Sequence, residues 1–243
     1  MRKGSIGRSE TYDALMHAAA ATEDADGAPV AWEGFSMEDA KIHASLQVAN
    51  AKAKTPTDVL QQLQRGNARF WAGKATRPEV SAFERRALIM QQYPSVAILG
   101  CSDSRVPIEI VFDQGLGDIF VIRVAGNCLD NTTTASLQYA VKHLEVKVVV
   151  VMGHEGCGAV KAAQSSPEDI KKESPHLQQL LTSIKSDLDA DRLFHIRDSR
   201  ARDREAVVTN VKSQVEKLRY DEVVMNAVAN KAMALPRRVC PCS

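Results

Sequence analysis

Two short stretches of sequence decide the fold: residues 97–106, AILGCSDSRV, and residues 149–158, VVVMGHEGCG. Each is an apolar run that predicts a buried strand, and each run ends in a glycine followed by side chains that bind metal ions. The first stretch supplies Cys101, and the second supplies His154 and Cys157. Two thiolates and one imidazole suit zinc and leave its fourth coordination position open, which is typical of a catalytic zinc site.

The sequence around these stretches alternates short apolar strands with helices. Strands that are apolar on both faces and alternate with helices indicate a parallel sheet covered on both sides. In such a sheet, ligands bind beyond the carboxyl ends of neighbouring strands whose connections leave towards opposite faces. If the two strands are neighbours, Cys101 and His154 converge, and Cys157 reaches the same ion from the start of the next helix. We therefore predict an α/β fold with a mostly parallel central sheet, flanking helices and an amino-terminal helical arm, of the Rossmann-like type.

The hydrophobic periodicity predicts the individual elements. The predicted strands are residues 95–100, 118–124 and 146–152. The predicted helices are residues 107–112, 132–144, 176–188, 203–219 and 221–234, a helix from Gly156, and amino-terminal helices from Ser36, from Thr57 or Asp58, and around residues 83–91. The predicted organisation is a flexible arm (1–35), amino-terminal helices for subunit packing (36–94), a zinc-binding α/β core with carboxyl-terminal helices (95–234) and an irregular tail (235–243).

Composition restricts the class of protein and its partners. The chain has 243 residues, 44% of them hydrophobic, which is enough for one α/β domain with a sizeable core. Its 31 basic and 30 acidic residues nearly balance, so the net charge does not favour binding to nucleic acid. The arginines between residues 197 and 204 alternate with acidic residues, as is typical of a solvated helix face. No run approaches the ~20 apolar residues of a membrane-spanning helix, so we predict no transmembrane segment.

The cysteine count and the amino terminus bear on the compartment. Five cysteines is an odd number, and a reducing compartment with metal-bound thiolates fits them better than a disulfide framework. The first ten residues are basic but lack the apolar segment of a secretory signal, and they could be the remainder of an organelle transit peptide. We predict an intracellular protein of the cytoplasm or of an organelle matrix, either chloroplast or mitochondrion, and not a secreted one.

The metal site has two plainer alternatives. A single buried cysteine is usually an inert small hydrophobe, and a single histidine is usually just hydrogen-bonded. Three such residues at two glycine-marked strand ends favour metal binding instead. A structural zinc would be closed by a fourth protein ligand, and Cys240 or Cys242 could supply it from the tail.

Asp103 and Arg105 complete the first stretch. A carboxylate two residues from a metal ligand could occupy the open position and block it. A bidentate ion pair with Arg105 would hold Asp103 off the metal and orient it to accept a hydrogen bond from metal-bound hydroxide. The alternative is an ordinary local ion pair within a turn.

These residues together resemble the β-class carbonic anhydrase family. The resemblance implies the fold of that family, a catalytic Zn²⁺ bound by Cys101, His154 and Cys157, and a catalytic dyad of Asp103 and Arg105. It extends over about residues 57–219 and rests on these stretches: CSDSRV at 101–106, GHEGCGAV at 153–160, FDQG at 112–115, GDIF at 117–120, RVAGN at 123–127 and SLQYAV at 136–141.

The resemblance also implies a substrate pocket and an assembly. Gln92 would donate to carbon dioxide or bicarbonate from across a subunit interface, Phe120 and Tyr139 would line an apolar pocket, and Gly158 would offer a backbone amide. This pattern is similar to the constitutively open branch of the family, and it implies a homodimer or a dimer of dimers. The family usually ends in a strand at the sheet edge, and residues 235–243 predict no such strand.

The function implied is the zinc-dependent reversible hydration of carbon dioxide to bicarbonate and a proton by metal-bound hydroxide, which is a lyase reaction. One alternative is hydrolysis of carbonyl sulfide or carbon disulfide on the same fold. The other is a catalytically inactive zinc-binding relative, which the missing edge strand would favour. The Asp103–Arg105 pair and Gln92 argue against the inactive relative, because a protein without catalysis has no physical need for them.

Overall fold

The computed structural model describes residues 37–76, 82–230 and 233–235. Within these ranges it contains a three-stranded parallel sheet in the order β2-β1-β3. The strands are β1 (Val96–Gly100), β2 (Ile119–Arg123) and β3 (Val148–Val151). Leu99 of β1 pairs with Ile122 on one side and with Val151 on the other. The predicted parallel sheet is confirmed, and the two strands that precede the predicted metal ligands are neighbours.

The strand β1 is buried along its whole length, because helices cover both faces of the sheet. Successive side chains of a strand point to opposite faces. Ile98 accordingly joins one apolar cluster with Ile184, whereas Leu99 joins a second cluster with Leu137. This two-sided burial is the reason why the strand reads as a continuous apolar run in the sequence.

Eleven helices accompany the sheet in the described part of the chain. Three precede β1: α1 (Met37–Ala53), α2 (Pro56–Trp71) and α3 (Ala82–Met90). Two connect the strands: α4 (Ile108–Val111) and α5 (Asn131–Lys142). Six follow β3: α6 (Gly158–Ala163), α7 (Pro167–Ile170), α8 (Pro175–Asp187), α9 (Ala190–Phe194), α10 (Ser199–Leu218) and α11 (Glu222–Ala229). Among the described helices, none combines the length and the apolar character needed to span a bilayer.

The start of α2 corrects the sequence prediction by two or three residues. Thr55 is the N-cap and forms a capping box with Asp58, and Pro56 occupies the first turn. We expected Thr57 or Asp58 to open this helix. Proline is well tolerated in the first turn of a helix because its missing N–H has no intrahelical partner there.

The carboxyl-terminal helix also differs from the prediction of residues 221–234. Helix α11 ends at Ala229, and the chain then returns to the edge of the sheet. Ala234 forms an isolated parallel bridge with Val148, in which its N–H donates to the Lys147 carbonyl over 2.8 Å. Within the described ranges, the outer edge of β3 therefore pairs with the chain at this single bridge, which the sequence did not predict. Residues 236–243 lie outside the described ranges.

Smaller differences concern helix starts after β3. Helix α6 begins at Gly158 rather than Gly156, because Gly156 adopts a positive φ of 69° and Cys157 is the N-cap. Helix α10 begins at Ser199, four residues before the predicted start, and the short helices α7 and α9 were not predicted. The predicted arm of residues 1–35 lies outside the described residues, and the other domain boundaries remain predictions.

Candidate metal centre

Three candidate metal ligands meet at the carboxyl ends of β1 and β3. Cys101 directly follows β1, His154 lies three residues beyond β3, and Cys157 is the N-cap of α6. All three are buried, and their ligand atoms lie within 4.8 Å of one another. The two sulfur atoms are 3.9 Å apart. Tetrahedral coordination with Zn–S bonds of ~2.3 Å separates two sulfurs by ~3.8 Å, so the donor set fits zinc.

The imidazole of His154 is fixed in the tautomer that a metal requires. Its Nδ1 lies 3.2 Å from the carbonyl oxygen of Glu155 and donates to it, since a carbonyl can only accept. Its Nε2 is buried and has no hydrogen-bond partner among the described residues. Leaving a buried polar atom unpaired costs about 1–3 kcal/mol. A metal ion at Nε2 would remove that cost, with Nδ1 already held by a carbonyl as metal-bound histidines commonly are.

The two thiols influence each other strongly. The pKa of Cys101 is lowered, chiefly by the hydrogen bond from the Cys157 thiol. The pKa of Cys157 is raised, chiefly because its thiol proton is held in that hydrogen bond to Cys101 and secondly because the thiol is buried. The N–H of Gly126 also donates to the Cys101 sulfur over 3.4 Å. Two thiolates in direct contact need a cation to coexist, which again favours a metal ion at this place.

Asp103 and Arg105 form a bidentate ion pair beside the ligands. Arg105 donates from Nε to one carboxylate oxygen over 2.9 Å and from a terminal nitrogen to the other over 2.7 Å. These bonds hold the pKa of Asp103 well below its usual range. Arg105 also donates to the Gly156 carbonyl over 3.1 Å, which joins the two ligand-bearing loops. One oxygen of Asp103 lies 3.9 Å from Nε2 of His154, so the carboxylate is adjacent to the site.

Sequence reasoning missed two groups that fix the first loop. Arg123 donates to the carbonyl of Cys101 over 2.9 Å and to the carbonyl of Asp103 over 2.6 Å. Gly126 supplies the N–H that contacts the Cys101 sulfur. Both residues lie in the RVAGN stretch, whose only signal in the sequence is the family resemblance. Their roles depend on a turn that lies against Cys101 in the folded chain, and no local sequence pattern indicates that contact.

A pocket of about 550 Å³ reaches the metal centre from the surface. Of the three candidate ligands its lining includes His154 alone, and the remaining wall combines apolar side chains with charged ones, among them Trp71, Val106, Arg105 and Arg204.

The predicted substrate residues are not all brought to this centre within one chain. The rings of Phe120 and Tyr139 are neighbours, with centroids 6.1 Å apart. Gln92 and Tyr139 line a separate surface depression of about 880 Å³, whose lining includes none of the three ligands. Gly158 is exposed at the start of α6. Cys101, His154, Cys157, Asp103 and Arg105 are thus together, whereas Gln92 is apart.

The remaining cysteines stand outside the cluster. Cys128 is buried and free. Burial raises the pKa of the Cys128 thiol, so it is a poorer ligand than Cys101. Cys240 and Cys242 lie outside the described residues, so a structural zinc closed by either of them stays an untested alternative.

The same stretch of chain matches a known protein family. The family model for carbonic anhydrase matches residues 96–239, which is more than half of the chain and contains all three candidate ligands. This chain belongs to the β-carbonic anhydrase family. The resemblance drawn from the sequence is confirmed.

Individual relatives agree with that membership. A carbonic anhydrase from Mycolicibacterium smegmatis is 42% identical over 129 residues, which are 53% of this chain and 63% of that protein. Carbonic anhydrase 2 from Mycobacterium tuberculosis is 46% identical over 114 residues, which are 47% of this chain and 55% of that protein. The match thus spans less than two thirds of the length of these relatives. A crystal structure of a tetrameric β-carbonic anhydrase from Sordaria macrospora superposes with a TM-score of 0.59 at 31% identity, covering 71% of this chain and 86% of that one.

Proposed function

We propose that this β-carbonic anhydrase family member catalyses the zinc-dependent reversible hydration of carbon dioxide to bicarbonate and a proton. The observation that carries the proposal is the convergence of Cys101, His154 and Cys157 in a buried cluster, with a restrained carboxylate next to it. Three protein ligands leave a fourth position for chemistry. The relatives named carbonic anhydrase support the reaction.

Cys101, His154 and Cys157 would hold the zinc ion. When bound there, zinc supplies a water whose pKa is lowered enough to provide hydroxide near neutral pH. Two thiolates offset the metal charge, and we expect this lowering to be weaker than with three neutral imidazoles. The activity should therefore rise towards alkaline pH.

Asp103 would orient the attacking oxygen by accepting its hydrogen bond. The two donors of Arg105 hold both carboxylate oxygens, so Asp103 is kept ionised and is restrained from closing the fourth position itself. Arg105 is then a positioning residue that acts through Asp103. The hydrogen bond from Arg105 to the Gly156 carbonyl holds the carboxylate at a fixed position relative to the loop that carries His154 and Cys157.

Gln92, Phe120, Tyr139 and Gly158 would form the substrate pocket. Phe120 and Tyr139 offer adjacent aromatic faces to an apolar gas, and the Gly158 amide could donate to a carbon dioxide oxygen. Gln92 is exposed, and the depression that it lines includes none of the three candidate ligands of its own chain. This position agrees with a role across a subunit interface. We accordingly propose a homodimer or a dimer of dimers, and the Sordaria macrospora relative is a tetramer.

The compartment belongs to the proposal as well. We propose an intracellular protein, of the cytoplasm or of an organelle matrix. One relative from Arabidopsis thaliana, 30% identical over 135 residues, is named a mitochondrial β carbonic anhydrase. Fractionation of the source cells, followed by an antibody against the chain, would decide between these compartments.

The test of the reaction compares substrates on one zinc-loaded preparation. Stopped-flow measurement with a pH indicator should show rapid hydration of carbon dioxide at alkaline pH. Carbonyl sulfide and carbon disulfide, assayed through released hydrogen sulfide, should be turned over far more slowly. The opposite order of rates would establish the hydrolase alternative, and no turnover of any of the three by zinc-loaded oligomer would indicate the inactive relative.

A further inference from the structure

Two fully buried amide side chains on α10 lie behind the metal centre. Asn210 and Gln214 are one helical turn apart, and both have 0% exposure. Asn210 donates from Nδ2 to the carbonyl of Gly126 over 2.8 Å. Gln214 accepts from the N–H of Leu129 over 2.9 Å and donates to Oδ1 of Asn210 over 3.1 Å and to Asp187 over 2.7 Å. Helix α10 thereby holds both ends of the turn between residues 126 and 129.

This turn contacts a candidate metal ligand. The N–H of Gly126 donates to the sulfur of Cys101 over 3.4 Å. Gly126 has a φ of +68°, and a Cβ at this position would lie 2.5 Å from Cδ1 of Ile184. The backbone at Gly126 is therefore held in its left-handed conformation between Ile184, which leaves no room for a side chain, and Asn210, which binds the carbonyl of the peptide group that follows the Gly126 N–H.

Burying two amides has a cost that packing alone does not explain. An apolar side chain at either position would fill the core but would leave the Gly126 carbonyl or the Leu129 N–H without its hydrogen-bond partner, which is destabilising for a buried group. The burial of two amides on α10 is therefore explained by the backbone groups that they hold in place. The carbonyl of Gly126 and the N–H of Leu129 are the groups they fix.

We propose that Asn210 is a positioning residue for the metal centre. It holds Gly126 so that the Gly126 N–H points at the Cys101 thiolate, and Gln214 fixes the orientation of the Asn210 amide. The inference rests on the proposed function, because it requires Cys101 to be a metal ligand. Groups that orient metal ligands in this way typically change metal affinity by about 10–100-fold when removed.

The experiment measures metal binding by the full chain with cobalt(II) as the probe. Asn210→Leu removes the amide at similar size, and cobalt affinity is measured by competition with a chelator. The matched control is Gln138→Leu, because the Gln138 amide bonds Asp221 over 2.7 Å and joins α5 to the N-cap of α11 instead of holding the turn. We expect a loss of about tenfold or more in affinity for Asn210→Leu and an altered sulfur-to-cobalt charge-transfer band, with both unchanged in the control.

Each outcome bears on a distinct claim. Unchanged affinity and an unchanged charge-transfer band in Asn210→Leu would overturn the role of Asn210 while leaving the metal centre intact. Equal losses in Gln138→Leu would mean general destabilisation and would also overturn it. A wild-type chain that binds no cobalt would overturn both this inference and the proposed function. If Asn210→Leu fails to fold by circular dichroism, Asn210→Ser, which removes the amide without adding bulk, gives the same comparison.

Discussion

Asp103 lies next to the candidate ligands with both of its carboxylate oxygens bound by Arg105. Its neighbour in sequence, Ser102, is exposed and does not share that pair. Asp103 is the carboxylate that we propose acts on the reacting oxygen, and the exposed Ser102 beside it offers a comparison position outside the ion pair.

Replacing Asp103 should therefore damage turnover more than metal binding. In Asp103→Ala, the three ligands are untouched but the hydrogen-bond acceptor is lost, so we expect normal zinc content with kcat reduced about 10²–10³-fold. Zinc analysis and stopped-flow hydration on the same sample measure both quantities. Ser102→Ala is the control and should retain its rate. A full rate in Asp103→Ala would remove Asp103 from the mechanism.

Two buried cysteines offer a matched test of ligand identity. Cys101→Ser should lose most of its zinc, because a hydroxyl is a far weaker ligand than a thiolate. Cys128→Ser changes an equally buried thiol outside the cluster and should keep one zinc per chain. Elemental analysis of the purified variants measures this directly. Equal zinc content in the two variants would show that Cys101 is not a ligand.

At the scale of single elements, α2 is tied to the core by a close approach that leaves no room for a side chain. A Cβ on Gly66 would lie 1.8 Å from the carbonyl oxygen of Phe112. Gly66→Ala must therefore push α2 outwards, and we expect a loss of about 1–3 kcal/mol in the free energy of unfolding. Urea denaturation measures it. Gly158→Ala is the control for stability alone, because its Cβ meets nothing within 4 Å. Equal stability of both variants would contradict the packing described for α2.

The N-cap of α5 gives a pH-dependent contribution to stability. Hydrogen bonds from the Thr133 backbone to the Asp130 carboxylate lower the pKa of Asp130 in the folded chain. The Asp130 carboxylate is therefore protonated more readily in the unfolded chain than in the folded one. The stability that the ionised cap contributes is fully present above the unfolded pKa of about 3.9, and it is lost as the pH falls through the folded pKa. Asp130→Asn keeps a cap without the charge. The stability advantage of wild type over Asp130→Asn should shrink between about pH 6 and about pH 3, and a constant difference in urea unfolding would contradict the assignment.

The elements around the metal centre were predictable because their signals are local. Residues 95–100 and 146–152 read as strands since they are apolar on both faces. Their adjacency was only a condition for the ligands to converge, and the structure meets it. The bridge between Ala234 and Val148 was not predictable, because residues 221–234 continue a helical pattern in the sequence and a pairing with β3 depends on the tertiary structure. The contact of Gly126 with Cys101 was also beyond sequence reasoning, since it depends on a left-handed turn packed against α8 and α10.

For the molecule as a whole, the exposed apolar surface near Gln92 bears on assembly. Ile89 is 82% exposed and Leu116 is 53% exposed, and both line the depression that contains Gln92 and Tyr139. Contiguous exposed apolar side chains are typical of a protein interface.

Ile89→Asp should therefore dissociate the proposed oligomer, because it places a charge in an apolar contact. Sedimentation velocity should show a smaller species, and carbon dioxide hydration should fall if Gln92 acts across the interface. Phe194→Ser is the matched control, since Phe194 is 84% exposed in a different depression. An unchanged sedimentation coefficient for Ile89→Asp would exclude this face as the interface.

The most direct test of the central claim is a zinc titration of the metal-free protein, followed by stopped-flow carbon dioxide hydration. The cluster of Cys101, His154 and Cys157 predicts a rate that rises linearly with added zinc and stops rising at one zinc per chain. A rate that stays at the buffer background when one zinc per chain is bound would contradict the account.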